Sequence, residues 1–188
     1  MIGIFGGSFN PIHVGHTRLA QWIVEHGYAQ KIWLMVSPQN PLKVNLELAP
    51  EEMRLRMARA AVEGIEGVEV SDFELSLPRP SYTWVTLREL ARLHPNEEFA
   101  LVIGADNWNH FDRWANYQEI VSNYQILVYP RSGCEIEGPL PQNVVPIPAP
   151  LFPFSSTDVR RAIRARRSAE AMLSAKVYDI IRQEKLYL

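Results

Sequence analysis

The chain of 188 residues is long enough for one α/β domain that buries most of its apolar surface. With 47% hydrophobic and 21% charged residues, its composition is that of a globular protein and excludes a disordered or fibrous chain. The formal net charge of -2 at pH 7 argues against a broad, non-specific nucleic-acid surface, which usually needs a basic excess.

The chain begins with a short apolar run, residues 1–5, and two glycines, Gly6 and Gly7, follow it directly. The run predicts a buried parallel strand, and the glycines predict a tight turn after it. Ser8 favours a turn as well. Because glycine has no Cβ, the backbone amides from Gly6 to Phe9 can come close to a bound anion.

Two histidines, His13 and His16, come at or just before the first turn of a helix predicted from Gly15 onward. Their spacing makes their N–H donors converge beside a helix N-terminus, where the helix dipole already favours negative charge. The pattern predicts a phosphate site. The stretch GGSFNPIHVGH resembles the phosphate-binding signature of the nucleotidylyltransferase superfamily, which ends in an H-x-G-H element. Within that superfamily the whole chain is most similar to the bacterial nicotinate-mononucleotide adenylyltransferases.

The second predicted strand covers residues 31–36, and a proline-containing loop with Asn40 and Lys43 follows it. Open α/β sheets bind ligands at the carboxyl ends of their strands, so Lys43 is a candidate phosphate contact. The superfamily has a basic residue in the matching place, and the resemblance adds Asn40 as a mononucleotide contact. A helix is predicted from residue 50, and a third strand over residues 68–73.

The segment Pro-Ser-Tyr-Thr at residues 80–83 stands directly before the next predicted helix. Its hydroxyls suit an ordinary helix N-cap. The segment also resembles the part of the family that holds the nicotinate end of the substrate, where backbone amides near the threonine meet the pyridine carboxylate. The resemblance implies mononucleotide contacts at Tyr82, Thr83 and Trp84. The commoner family pattern has an aspartate where this chain has Val85, so side-chain help from that position is missing.

The fourth predicted strand, residues 99–103, leads into a Gly-Ala-Asp turn that contains Asp106. Trp108, Phe111 and Trp114 follow closely. Aromatic residues at this spacing are most often part of a core, but they also suit stacking on a flat heteroaromatic ring. The stretch resembles a family pattern, G-A-D followed by F-x-x-W. That resemblance implies that Trp114 stacks on the pyridine ring and that Asp106 contacts a ribose or a phosphate-bound cation.

The fifth predicted strand, residues 124–129, ends just before Arg131, a candidate for closing over a substrate phosphate. Residues 130–153 are rich in proline and glycine and contain one short predicted strand, residues 144–147. We interpret them as a connection within a single domain of residues 1–188, because too few residues follow to build a second core. Cys134, the only cysteine, has no obvious chemical partner there and excludes an internal disulfide, which favours a reducing cytoplasm.

A second candidate phosphate site is the stretch FSSTDVR at residues 154–160, which precedes and begins a predicted helix. A capping box alone would explain its serines. It would not explain the four arginines at positions 160, 161, 164 and 166, because a helix beginning disfavours cations unless an anion binds. The stretch resembles the family's S-S-T-x-x-R element, which grips the β- and γ-phosphates of ATP. The tail, residues 169–188, is predicted to pack on the sheet.

About six strands alternating with helices predict an α/β fold with an open, doubly wound parallel sheet, Rossmann-like, and helices on both faces. The resemblance implies transfer of AMP from ATP to nicotinate mononucleotide, which gives nicotinate adenine dinucleotide and pyrophosphate in NAD biosynthesis. The implied catalytic residues are His13, His16 and Arg160. The implied ATP-binding residues are Gly6, Gly7, Ser8, Phe9, His13, Gly15, His16, Ser155, Ser156, Thr157 and Arg160. The implied mononucleotide-binding residues are Asn40, Lys43, Tyr82, Thr83, Trp84, Asp106, Trp114 and Arg131.

A Mg²⁺ cofactor is expected to be held mainly by ATP phosphates, because the sequence has no carboxylate cluster suited to an all-protein metal cage. The partners expected are ATP and nicotinate mononucleotide, with neither nucleic acid nor a membrane, and a homo-oligomer stays open. The N-terminus begins on a predicted core strand and no apolar run reaches the length of a membrane span, so we expect a cytoplasmic protein without a signal peptide.

Other functions stay open at the level of sequence. A sister transferase would use nicotinamide mononucleotide or phosphopantetheine, and a non-catalytic nucleotide sensor would keep the phosphate sites without the chemistry. A Rossmann oxidoreductase is disfavoured because GGSFNP lacks the G-x-G-x-x-G spacing. Every nucleotidyl-transfer hypothesis requires the two anion-binding helix ends to face one another at a single edge of the sheet.

Overall fold

Six parallel strands form one sheet in the computed structural model, which describes residues 1–38 and 48–188. The strands are β1 (Ile2–Gly7), β2 (Lys31–Val36), β3 (Val68–Ser71), β4 (Phe99–Gly104), β5 (Gln125–Tyr129) and β6 (Val144–Pro146). Their order across the sheet is β3-β2-β1-β4-β5-β6. The predicted α/β fold class with a doubly wound parallel sheet is confirmed.

Helices cover both faces of the sheet. The α-helices are α1 (Val14–Glu25), α2 (Glu51–Val62), α3 (Thr83–Leu93), α4 (Ala105–Trp108), α5 (Tyr117–Asn123), α6 (Ser156–Arg164) and α7 (Ala175–Gln183). Short 3-10 helices span Phe73–Ser76, Phe111–Arg113 and Glu170–Met172. Across the described residues, none of the helices combines the length and the apolar character needed to span a bilayer.

The strands have two buried faces because side chains alternate along each strand. Ile2 and Ile4 of β1 belong to the core that packs against α3 and α5, whereas Phe5 belongs to the core beneath α1, α2, α6 and α7. In register, Ile4 lies opposite Trp33 of β2 and Leu101 of β4. The near-continuous apolar runs that predicted these strands therefore reflect burial on both sides.

The chain changes direction across the sheet at β1. From β1 it builds outward through β2 to β3, and then returns to place β4 on the other side of β1. Connections on the two sides of this point diverge, which leaves a crevice beyond the carboxyl ends of β1 and β4. The segments that follow these two strands are therefore the expected position of a ligand site.

Two predicted element ends were wrong. Gly6 and Gly7 continue β1, paired with Met35 and Val36, and do not form a turn directly after residue 5. The predicted third strand was also too long: β3 ends at Ser71, and residues 73–76 form a 3-10 helix. The Ser71 hydroxyl accepts a hydrogen bond from the Phe73 N–H, which turns the chain out of the strand.

Candidate active site

A cavity of about 380 Å³ lies at the carboxyl edge of the sheet, beyond β1, β4 and β5. The beginnings of α1 and α6 form its far side. Its wall includes side chains from the loop between β1 and α1, from α4, from the turn after β5 and from the segment before α6. The chemically active lining residues are His13, His16, Asp106, Arg131, Cys134, Ser155 and Asp158.

The first loop (residues 8–13) ends in a helix cap made of two imidazoles. His13 is the N-cap of α1, and its Nδ1 accepts a hydrogen bond from the Gly15 N–H at 3.2 Å. In return, Nδ1 of His16 accepts from the His13 N–H at 3.2 Å. The two rings stack with centroids 3.7 Å apart. This is the reciprocal pattern of a capping box, with histidines in place of the usual serine and glutamate.

Both histidines are neutral hydrogen-bond donors at neutral pH. The pKa of His13 is lowered to about 4, mainly by burial and also by the Arg131 cation, with Asp158 acting weakly in the opposite direction. Burial holds the pKa of His16 well below its ordinary value, with additional lowering by His13 and Arg131. Because Nδ1 of each neutral ring accepts a hydrogen bond, the ring proton lies on Nε2. Each ring therefore offers an Nε2–H group without carrying a charge.

Gly15, the glycine between the two histidines, is required by close packing. A Cβ at this position would lie 3.0 Å from Nδ1 of His13 and 3.2 Å from Cβ of Phe152. A side chain at this position would make the His13 ring or Phe152 move by a few tenths of an ångström. The glycine in the H-x-G-H element thus serves the geometry of the histidines.

The Phe9 side chain packs against the ring of His16. Its ring is buried and meets the His16 ring edge-on with centroids 5.0 Å apart, and its backbone adopts a left-handed φ of 43°. Any phosphate contact of Phe9 therefore comes from its amide. Gly6, Gly7 and Ser8, the other predicted ATP contacts nearby, lie at the end of β1 and the start of the first loop, beside the cavity and outside its lining.

The α6 helix begins with a second capping box at the cavity wall. Ser155 is its N-cap: the hydroxyl accepts from the Asp158 N–H, and the Asp158 carboxylate accepts from both the hydroxyl and the backbone N–H of Ser155. The Ser155 hydroxyl bond is the main cause that lowers the pKa of Asp158. Asp158 was missed as a cavity residue, although its position three residues after Ser155 was a usable signal.

The start of α6 is bonded directly to the first loop. Ser156 donates from its hydroxyl to the Pro11 carbonyl at 2.9 Å. Arg160 donates from Nη1 to the Asn10 carbonyl at 2.7 Å and from Nη2 to the Thr157 hydroxyl at 3.2 Å. The structure therefore brings the two predicted phosphate segments to one edge of the sheet. Ser155 lines the cavity itself, whereas Ser156, Thr157 and Arg160 stand behind its wall.

The expected crowding of arginines at the start of α6 was wrong. The helix ends at Arg164, so Arg161 and Arg164 occupy its last turn, and Arg166 lies beyond it. The helix dipole favours cations at that end. These three arginines therefore need no bound anion to explain them, and the phosphate hypothesis for α6 depends on its N-terminal residues.

Two of the predicted mononucleotide contacts share the cavity with the histidines. Asp106 lies in α4, so the predicted Gly-Ala-Asp turn was wrong, because Gly104 is the N-cap of a helix that begins directly after β4. Asp106 and Arg131, which follows β5, form an ion pair in which Nε of Arg131 lies 3.4 Å from Oδ1 of Asp106. A Cβ at Gly104 would collide with Asp106 and lie 2.9 Å from Cγ of Arg131. Glycine at this position therefore leaves room for the side chains of this ion pair.

The Pro-Ser-Tyr-Thr segment does not cap its helix with a side chain. Tyr82 is the N-cap of α3 and makes no side-chain capping bond, so the predicted hydroxyl cap was wrong there. The Ser81 and Thr86 hydroxyls instead donate to the carboxylate of buried Glu74, at 3.5 and 2.9 Å. The first backbone amides of α3, at Thr83 and beyond, are therefore not capped by a side chain.

Trp84 and Trp114 belong to the apolar cluster on the α3 side of the sheet, and neither lines the cavity that holds the histidines. The Arg88 guanidinium lies over the Trp84 ring, with its Cζ atom 4.6 Å from the ring centroid. Trp114 is half-buried and packs at a tilt on Phe111 with centroids 5.0 Å apart. The predicted contacts Asn40 and Lys43 lie outside the described residues.

Long-range contacts around Asn10 were missed. Its side-chain Oδ1 accepts from the Ala49 N–H at 3.0 Å and from the Tyr187 hydroxyl at 2.9 Å. Its partners are 39 and 177 residues away, and no local pattern announces such pairs. The tail thus does more than pack on the sheet, because Tyr187 reaches the first loop.

The fold and the paired helix starts define a protein of the cytidylyltransferase-like class, and the family model of that description matches residues 4–162. The chain is 44% identical to a probable nicotinate-nucleotide adenylyltransferase of Bacteroides thetaiotaomicron, covering 96% of this chain and 90% of the relative. It is 46% identical to one of Bacteroides fragilis, with 97% and 91% covered. The chain belongs to the nicotinate-nucleotide adenylyltransferase family.

Solved structures share the fold at low identity. The nicotinic acid mononucleotide adenylyltransferase of Plasmodium falciparum in complex with NaAD superposes with a TM-score of 0.82 at 20% identity, covering 99% of this chain and 96% of that one. A nicotinate-nucleotide adenylyltransferase structure from Vibrio parahaemolyticus, described as putative in its name, gives 0.74 at 22% identity, with 99% and 94% covered. These likenesses support the sheet topology alone.

Proposed function

We propose that the protein transfers the adenylyl group of ATP to nicotinate mononucleotide and releases pyrophosphate and nicotinate adenine dinucleotide. The observation that carries the proposal is the placement of two helix N-termini, at His13 and at Ser155, on one cavity at the switch point of the sheet. Helix N-termini attract phosphate through free amides and the helix dipole. Family relatives named as nicotinate-nucleotide adenylyltransferases support the choice of acceptor.

The reaction is a direct displacement at phosphorus. An oxygen of the mononucleotide 5′-phosphate forms a bond to the α-phosphorus of ATP. The bond from that phosphorus to the oxygen bridging it to the β-phosphorus breaks, and its electron pair leaves with pyrophosphate. A phosphate monoester is already nucleophilic at neutral pH, so no protein base or covalent intermediate is required. Catalysis then consists of alignment and stabilisation of charge.

The residues of the first loop and of the start of α1 act on the phosphates as neutral donors. The Nε2–H of His16 donates to the α-phosphate as charge builds there, and His13 holds the triphosphate. The amides from Gly6 to Phe9 contact phosphate oxygens. A neutral imidazole keeps one N–H and can donate it to the charge that develops in the transition state, so the lowered pKa values of both rings are compatible with this role.

The leaving pyrophosphate is assigned to the start of α6. Ser155 lines the cavity wall and uses its backbone N–H and hydroxyl in the capping box with Asp158, so the donors proposed for pyrophosphate are the first amides of α6, with Ser156, Thr157 and Arg160 next to Ser155. The guanidinium of Arg160 uses one N–H on Asn10 and one on Thr157, and an arginine has five such donors. Its charge thus acts near the phosphates while its bonds hold the loop.

The mononucleotide is assigned to the segments beside the histidines, namely α4 and the turn after β5, and to the start of α3. Asp106 and Arg131 on the cavity wall contact its ribose and phosphate, and Asn40 and Lys43 belong to the same set. The start of α3, at Tyr82, Thr83 and Trp84, receives the nicotinate carboxylate on its uncapped amides. Trp114 stacks on the pyridine ring.

A divalent metal belongs to the chemistry of this family, and we propose Mg²⁺. The described residues contain no group of three His, Cys, Asp or Glu side chains placed to hold a metal ion. The cavity wall carries single carboxylates, at Asp106 and Asp158. This donor set suits an ion held mainly by phosphate oxygens and water, with at most one protein carboxylate. Bound there, Mg²⁺ would reduce the negative charge of the triphosphate. A cytoplasmic location belongs to the same proposal, since ATP is a cytoplasmic substrate.

The proposal is tested by measuring pyrophosphate release from ATP and Mg²⁺ with nicotinate mononucleotide, nicotinamide mononucleotide and phosphopantetheine side by side. We expect nicotinate mononucleotide to give the highest kcat/KM. A preference for either other acceptor would assign the protein to a sister transferase. Absence of pyrophosphate with all three, together with tight ATP binding, would indicate a nucleotide sensor.

A further inference from the structure

Arg54, in α2, is fully buried, with only 1% of its surface exposed. Its guanidinium donates four hydrogen bonds, all to backbone carbonyls. The acceptors are Ser8 at 2.7 Å, Ser37 at 2.7 Å, Pro38 at 2.9 Å and Ala49 at 3.0 Å. Burial is the main cause that lowers the pKa of this arginine. A buried cation is costly unless its donors are satisfied, so this arrangement must be closely fitted.

The four carbonyls come from three separate segments. Ser8 opens the first loop, Ser37 and Pro38 follow β2, and Ala49 precedes α2. Arg54 therefore joins the first loop, which ends at His13, to the end of the neighbouring strand β2. Only the planar guanidinium presents enough donors in fixed directions to do this, and a lysine ammonium has three on a flexible stem.

The bond to Ser8 determines the direction of the next amide. In a planar trans peptide the carbonyl and the following N–H point in opposite directions. With the Ser8 carbonyl directed inward to Arg54, the Phe9 N–H is directed away from it. Phe9 itself has a left-handed backbone, the conformation in which successive N–H groups form an anion-binding concavity.

A second set of hydrogen bonds holds the same loop at Asn10. The Asn10 side chain accepts from the Ala49 N–H, while the Ala49 carbonyl accepts from Arg54. Tyr187 donates its hydroxyl to the same Asn10 oxygen, and burial raises the pKa of Tyr187, so this hydroxyl keeps its proton. The start of α2 is thus joined to the first loop at both Ser8 and Asn10.

We propose that Arg54 is a positioning residue that holds the Ser8–Asn10 backbone in the orientation required to bind the phosphates of ATP. The inference rests on the proposed function, because it takes the first loop to be the ATP site. Arg54 itself touches no substrate and acts through the carbonyl of Ser8.

The test compares the Arg54→Lys variant with an Arg59→Lys control. Arg59 lies on the same helix, but it is exposed and pairs with Asp72. Calorimetric titration with α,β-methylene-ATP and Mg²⁺ reports the Kd separately from the binding-competent fraction. We expect about a tenfold or larger rise in Kd for Arg54→Lys, with a matching rise in the KM for ATP, and no change for the control.

A purely structural role would lower the fraction that binds and the melting temperature while leaving Kd and KM at wild-type values, and that result would overturn the inference. If Arg54→Lys yields no folded protein, Tyr187→Phe decides, because it removes one hydrogen bond that holds the same loop at Asn10. We expect it to raise the Kd for the analogue two- to threefold, and an unchanged Kd would be contrary. Wild-type binding without dinucleotide formation would count against the proposed function alone.

Discussion

The imidazoles of His13 and His16, at the start of α1, each use their two nitrogens differently. Nδ1 of His13 and of His16 caps α1, and Nε2 keeps a proton for a ligand. The spacing of apolar positions from Gly15 onward alone predicted that both side chains lie at the helix start. Spacing could not show their neutral state, because that depends on burial in the folded protein and on the charge of Arg131, which is distant in the chain.

Replacement of His16 by alanine should remove one donor from the reacting phosphate. We expect kcat for dinucleotide formation to fall by about two to three orders of magnitude or more, the usual cost of losing a transition-state donor. The fold should persist, because His13 still caps α1 through Gly15. Steady-state kinetics and circular dichroism measure both, with His26→Ala at the far end of α1 as the control. Wild-type turnover in a folded His16→Ala variant would remove His16 from the mechanism.

The lowered pKa of His13 makes folding stability depend on pH. Between pH 6.5 and about 4 the unfolded chain binds a proton at His13 that the folded protein does not. Stability therefore falls as the pH falls through this window, by about 2 to 3 kcal/mol from His13. Urea unfolding at pH 7 and pH 4.5 measures the loss. His13→Asn keeps a capping acceptor but does not titrate, so its loss should be smaller by that amount. An equal loss in both proteins would contradict the assigned pKa.

At the scale of elements, the strands were predictable because a doubly wound sheet buries both of its faces. Continuous apolar runs such as Lys31–Val36 are therefore visible without knowledge of the tertiary structure. Element ends were less predictable. The extent of α6 was misjudged because its basic residues were taken as its beginning, whereas Ser156–Arg164 is short enough to place two of them in its last turn.

Two serine caps allow the binding role of α6 to be separated from its stability. Ser155 caps α6 at the cavity, and Ser174 caps α7 away from it. We expect Ser155→Ala and Ser174→Ala each to lower the free energy of unfolding by about 1 kcal/mol. Only Ser155→Ala should also raise the KM for ATP severalfold. Chemical denaturation and initial-rate kinetics distinguish the effects, and equal KM values in the two variants would exclude Ser155 from the triphosphate site.

At the scale of the molecule, the site depends on contacts that no local pattern predicts. Arg160 reaches Asn10 across 150 residues, and Tyr187 reaches it across 177. The resemblance of GGSFNPIHVGH and FSSTDVR to family motifs indicated which segments meet, but not that hydrogen bonds join them directly. The carbonyls used by Arg54 are invisible in sequence, because every residue has one.

Cys134 provides a chemical reporter of occupancy. It is the only cysteine of the chain, it is half-buried, and it lines the cavity with Asp106 and Arg131. We expect ATP with Mg²⁺, and more strongly the dinucleotide product, to slow its alkylation by iodoacetamide severalfold. Mass spectrometry over time measures the rate, with free cysteine as the reagent control. Equal rates with and without nucleotide would place the ligands elsewhere.

The most direct measurement is a crystal structure with α,β-methylene-ATP and Mg²⁺ bound. The account predicts that one triphosphate lies between the two helix starts, with the α-phosphate within hydrogen-bond distance of Nε2 of His16 and the terminal phosphates at Ser155. A triphosphate bound away from either helix start would contradict the shared site and the mechanism built on it.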